Sequence, residues 1–88
     1  MIQAERTPNP QSLKFTAASG SFADGVVAMT SREEADRHPL GPSLFAIDGV
    51  VDVFITPEFV TVSKEDGVAW PDVKAPIENA LRSYLEDE

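Results

Sequence analysis

The 88-residue chain carries seven basic and fifteen acidic side chains, for a formal charge of −8, and is 42% hydrophobic. That length suits one domain with one core, burying about 60–65% of its unfolded surface. With no cysteine, the chain by itself has no disulfide framework, no Cys-ligated zinc and no thiolate-bound iron–sulfur cluster. An acidic chain repels phosphate backbones, so nucleic acid is not an expected partner. No apolar run approaches the ~20 residues of a membrane span. The opening MIQAER has neither the basic start nor the apolar stretch of a signal peptide. The expectation is one soluble, monomeric, cytoplasmic domain over residues 1–88, with no membrane partner.

In chain order, residues 2–6 alternate, with Ile2 and Ala4 on one side and Gln3 and Glu5 on the other. Residues 12–17 repeat the pattern, with Leu13, Phe15 and Ala17 sharing a face. Period-2 alternation predicts two half-buried strands. The intervening Thr7-Pro8-Asn9-Pro10-Gln11 is stiffened by two fixed φ angles, and residues 9–12 suit a type I turn. Turn chemistry then surrounds a lone Phe22, and residues 26–29 predict a short third strand. Ser31 and Glu34 have capping-box spacing, which opens a brief helix stopped by Pro39. Pro39 begins a second helix running to about Ile47 and ended by Gly49, with Leu40, Leu44 and Ile47 on one face.

Residues 50–55 and 59–64 are rich in β-branched and aromatic side chains around Thr56-Pro57-Glu58, and predict a hairpin with Phe54 facing the core. Val73, Ile77, Ala80, Leu81, Tyr84 and Leu85 recur at helical spacing, with a kink at Pro76 or a start near Ala75. Trp70 at its beginning is expected to cover the core. The acidic tail, residues 86–88, reads as a frayed, solubilising end. The fold class is α+β, a mostly antiparallel sheet of about five strands with two to three helices on one face.

Catalytic chemistry finds little support. His38 is the single imidazole, its nearest hydroxyls are Ser31 and Ser43, and no nucleophile elbow or oxyanion segment accompanies them. The simpler reading is that His38 caps or precedes a helix. No enzyme is expected. Glu33, Glu34, Asp36 and His38 cluster in sequence, and Glu34 with His38 would share a helix face, a minor candidate for iron. Arg32 and Arg37 interleave with them, which favours a solvated helix face instead. The five isolated glycines complete no phosphate-binding fingerprint.

Thr7-Pro8-Asn9-Pro10-Gln11-Ser12-Leu13-Lys14-Phe15 resembles the opening of the Nfu/NifU N-terminal domain, T-P-N-P-N-S-L-K-F, with Gln11 its one departure. Pro39-Leu40 followed by Leu44-Phe45-Ala46-Ile47-Asp48-Gly49-Val50 is similar to that family's S-P-L-A…L-F-x-I-x-G-V. Val53-Phe54-Ile55 with residues 59–64 resembles its V-F…F-I-T-V-x-K hairpin, and residues 70–74 its W-x-x-L-K helix start. His38 stands where the family has serine, Gly41 where it has alanine, and Pro57 where glycine is common, so the hairpin turn is expected to differ in shape.

The resemblance implies a part in iron–sulfur cluster assembly or delivery. Many members continue into a C-x-x-C domain that carries the cluster. For this cysteine-free chain the implied role is therefore docking, by protein–protein contact, with a scaffold or C-x-x-C domain and with apo client proteins. It binds no cofactor itself, and iron or a cluster is reached only through a partner. The contact candidates are Thr7, Pro8, Asn9, Pro10 and Lys14, joined by an acidic surface that would steer a basic partner. Prolines that merely fix the strand-to-strand angle are the alternative. Two rival functions stay open, direct iron binding through Glu34 and His38 and a drifted regulatory interaction.

Overall fold

The computed structural model describes residues 2–18 and 20–86. Strands β1 (Ile2–Arg6), β2 (Ser12–Ala17), β3 (Val27–Met29), β4 (Val50–Ile55) and β5 (Phe59–Lys64) form one sheet in the order β1-β2-β5-β4-β3, every pair antiparallel. A 3-10 helix (Arg32–Arg37) and helix α1 (Leu40–Phe45) connect β3 to β4, and α2 (Trp70–Glu86) follows β5. The expected α+β class and its five strands are all present.

Register explains the core. Ala4, Phe15, Val60, Ile55 and Val27 form one row across the five strands, and Leu13, Val62, Val53 and Met29 form the next. Both rows lie on the face under the helices, which contribute Leu40, Leu44 and Phe45 from α1 and Val73, Ile77 and Leu81 from α2. The i, i+4, i+8 spacing of the last three is the apolar stripe that the sequence shows. Of the two expected starts, helix α2 takes the earlier: it begins at Trp70, not near Ala75, and runs through Pro76. Pro76 and the Asp72 carbonyl it leaves without an intrahelical donor both belong to exposed residues, so water can satisfy that carbonyl.

Phe54 corrects the sequence reading. It is 37% exposed, while Val53 and Ile55 on either side are fully buried. Its row, Glu5-Lys14-Thr61-Phe54-Ala28, is the solvent face of the sheet, and its ring packs on Phe59 with centroids 6.4 Å apart. A register shift between Val50 and Asp52 leaves Val51 exposed and returns Val50 to the interior. Phe22 was legible only as a lone aromatic among turns, yet it is buried in the core. Its N–H donates to the Pro57 carbonyl at 3.1 Å.

The hairpin turn needs no left-handed residue. Thr56 N–H donates to the Phe59 carbonyl at 2.8 Å, and Thr56 Oγ1 accepts from the amides of Glu58 and Phe59. Pro57 fits the second position of such a turn. Gly49, at φ +100°, reverses the chain into β4.

Candidate interaction surface

The turn between β1 and β2 is held by hydrogen bonds among its own residues. Ser12 N–H donates to the Asn9 carbonyl at 3.0 Å, closing the four-residue turn expected over residues 9–12. Asn9 Oδ1 accepts from Gln11 N–H at 2.9 Å, and Asn9 N–H donates to Thr7 Oγ1 at 3.1 Å. The Thr7 hydroxyl lies within donating distance of the carbonyls of Asn9 (2.8 Å) and Ser12 (3.1 Å). Side-chain-to-backbone bonds of this kind, with two fixed proline φ angles, leave the turn little conformational freedom. Asn9→Ala is expected to lower stability by about 1 kcal/mol through loss of the acceptor for Gln11 N–H, measured by urea denaturation.

Packing then anchors the turn on two sides. The Trp70 Nε1–H donates to the Pro10 carbonyl at 3.1 Å. Lys64 N–H donates to the Gln11 carbonyl at 2.8 Å, and Lys64 Nζ donates to Gln11 Oε1 at 2.7 Å. Gln11 Nε2 donates onward to Asp66, and the Lys64 ammonium lies 5.7 Å from the Trp70 ring centroid. Gln11 is one methylene longer than the asparagine common at its place, and its amide bridges the end of β5 to the following loop.

Between the turn and the indole lies a cleft of about 350 Å³, lined by residues 7–10, by Arg6 and Leu13 and by Trp70. Four of the five contact candidates, Thr7, Pro8, Asn9 and Pro10, therefore meet in one place. Lys14 does not join them. It stands on the solvent face of the sheet, its ammonium 4.7 Å from the Phe59 ring centroid. Arg6 and Trp70 were not among the candidates. Arg6 shares the side already assigned to Ile2 and Ala4, and that parity was its signal. Trp70 packs against the core as expected and lines the cleft as well.

The residues of the iron alternative have other partners. His38 Nδ1 accepts Leu40 N–H at 3.0 Å, which leaves Nε2 to carry the proton to the Phe22 carbonyl at 2.7 Å. The imidazole thus caps the start of α1 and ties down Phe22. Glu34 Oε1 accepts from Thr30 N–H at 2.7 Å and from Thr30 Oγ1 at 2.9 Å, and Oε2 pairs with Arg37 at 3.1 Å. This is a capping contact displaced from Ser31 to Thr30, since Ser31 makes no side-chain cap. Arg32 instead donates to the Phe45 carbonyl at 2.8 Å, a cation at a helix C-terminus. Among the described residues no group of three His, Asp or Glu side chains is placed to hold a metal ion.

Two carboxylates give a pH dependence of opposite signs. Hydrogen bonds from the Thr30 N–H and hydroxyl, with Arg37 nearby, hold Glu34 below its ordinary value. Its stabilisation is present above the unfolded value and is lost as pH falls through the lower folded one. Burial, then the Glu34 charge, pushes Asp52 upward. Ionised Asp52 therefore costs stability at neutral pH, and acidification through its raised value relieves that cost. Asp52→Asn is expected to raise the melting temperature at pH 7 and to lose that advantage below pH ~4, as followed by thermal denaturation across pH.

A rigid turn thus stands beside a cleft that the Trp70 ring helps to line. The chain belongs to the family described as scaffold protein Nfu/NifU N terminal, whose model matches residues 2–88. It is 42% identical to NifU-like protein 5, mitochondrial, of Arabidopsis thaliana, over 86% of this chain and 28% of that protein. It is 38% identical to the human NFU1 iron-sulfur cluster scaffold homolog, mitochondrial, over 96% of this chain and 35% of that protein. The chain thus spans about a third of these relatives.

Among solved structures, that of a NifU-like protein from Saccharomyces cerevisiae superposes with a TM-score of 0.86 at 24% identity, over all of this chain and 80% of the other. A Staphylococcus aureus protein gives 0.72 at 22% identity, over 89% and 93% of the two chains. Both show the fold. The expected cytoplasmic location is overturned, because the relatives are named as mitochondrial. The charge and the cysteine count, on which that expectation leaned, are shared by proteins of several compartments.

Proposed function

We propose that this domain serves iron–sulfur cluster assembly or delivery by docking, presenting the cleft between the proline turn and Trp70 to a protein partner, and that it does not itself ligate the cluster. The carrying observation is the pre-built cleft. Its turn is locked by Thr7 and Asn9 and pinned to Trp70 before any partner arrives, so binding there orders few groups. Membership of a scaffold family supports protein partners and a role that is not catalytic. The absence of cysteine supports docking over ligation, because the usual cluster ligands are thiolates. The relatives' names point to a mitochondrial setting.

The test is anaerobic capture by the wild-type chain, by Pro8→Glu and by Phe54→Ser. Pro8 is exposed, and its replacement puts a charge into the cleft without removing a turn hydrogen bond. Cluster scaffolds or apo iron–sulfur proteins are expected with wild type and Phe54→Ser and not with Pro8→Glu. Equal capture by Pro8→Glu contradicts the docking surface.

A further inference from the structure

We infer that the cleft receives an acidic segment of the partner, an aspartate or glutamate next to an apolar residue, with Arg6 as the receptor for the carboxylate. The inference rests on the docking reading and specifies its ligand. Arg6 ends β1 opposite Leu13, on the helix-covered side of the sheet, and it lines the cleft with Trp70. Its guanidinium has no hydrogen-bond or ion-pair partner among the described residues, and no other lining residue carries a formal charge. On a chain of net charge −8, the cleft is thus locally cationic. An acidic segment is repelled by most of the surface and accepted here, and such complementarity sets where and in which register a partner docks.

The shape of the donor set favours a carboxylate. A guanidinium offers two parallel N–H bonds that match it. The Thr7 and Asn9 side-chain oxygens are already engaged within the turn, and the indole N–H is held by Pro10. Beside them lies the apolar surface of the indole and of Pro8 and Pro10, suited to an aliphatic or aromatic side chain next to the acid.

Trp70 is the single tryptophan, so its emission reports occupancy directly. The intact chain is titrated with end-blocked hexapeptides holding a central Asp or Glu beside Leu or Phe, and with their Asn and Gln counterparts. The acidic peptides are expected to shift Trp70 emission and to bind less tightly as salt rises. Their affinity should fall about tenfold with Arg6→Gln and less with Arg6→Lys. Several results overturn the assignment: amide peptides binding as tightly as acidic ones, Arg6→Gln matching wild type, binding with Trp70 silent, self-association in place of peptide binding, or no binding at all. If Arg6→Gln captures partners normally while Pro8→Glu does not, docking at the cleft stands and the carboxylate assignment falls. If neither variant changes capture, both fall.

Discussion

Phe15→Ala is expected to remove about 3–5 kcal/mol of stability, which for so small a domain is a large part of the total. Phe15 is fully buried at the second place in the central row, between Ala4 and Val60, where the sheet meets the helices. Deleting its ring leaves a cavity among neighbours fixed by strand register on both sides, so little collapse can fill it. Phe54→Ala, on the solvent face, is expected to cost about 1 kcal/mol, chiefly its contact with Phe59. Urea denaturation of the two variants side by side reads the sheet's polarity directly. Equal losses would mean that the faces are assigned wrongly.

Gly41→Ala is expected to cost about 3 kcal/mol or more, although the change adds one methyl group. A Cβ there would lie 1.9 Å from the carbonyl oxygen of Ala35 and 2.7 Å from its carbonyl carbon. Both are backbone atoms of the 3-10 helix, so no rotamer relieves the clash. The helix would have to move away from α1, and the Gly41 N–H bond to the His38 carbonyl, 2.8 Å, would move with it. The two departures from the family's S-P-L-A stretch, His38 and Gly41, belong to this one junction. His38→Ser combined with Gly41→Ala is therefore expected to cost less than the sum of the single changes, because release of the imidazole frees the segment to shift. Thermal denaturation of all four proteins measures the coupling.

These residues also show what sequence can and cannot reveal. The strands of residues 2–6, 12–17, 50–55 and 59–64 were legible because period and turn residues agreed. Phe54 was misplaced because β4 is almost wholly apolar, and ring size then dominates the reading. Asp52, two residues earlier, was the better guide, since a carboxylate marks its parity as the solvent side. Phe22 was invisible to periodicity because it plugs the core from a loop. The brief helix after Ser31 was legible, but not its 3-10 form or the displaced cap from Glu34 to Thr30.

Legibility of the site divides the same way. Two prolines and an asparagine announced a stiff turn, and the family string raised it to a contact candidate. Lys14 was grouped with the turn because it belongs to the same string, yet strand alternation carries it to the other face. Trp70 lies sixty residues beyond Pro10, and only the folded packing of α2 beside β1 brings them together. Arg6 required both its parity and that packing.

The most direct test is an anaerobic titration of the 15N-labelled chain with a cluster-loaded C-x-x-C domain of its own family, followed by amide and indole signals. The docking account predicts shifts at the Trp70 indole N–H and at the amides of Arg6, Asn9 and Gln11, with the cluster remaining on the added domain. Shifts or paramagnetic broadening centred on Glu34 and His38, with a silent indole, would contradict it and favour direct iron binding.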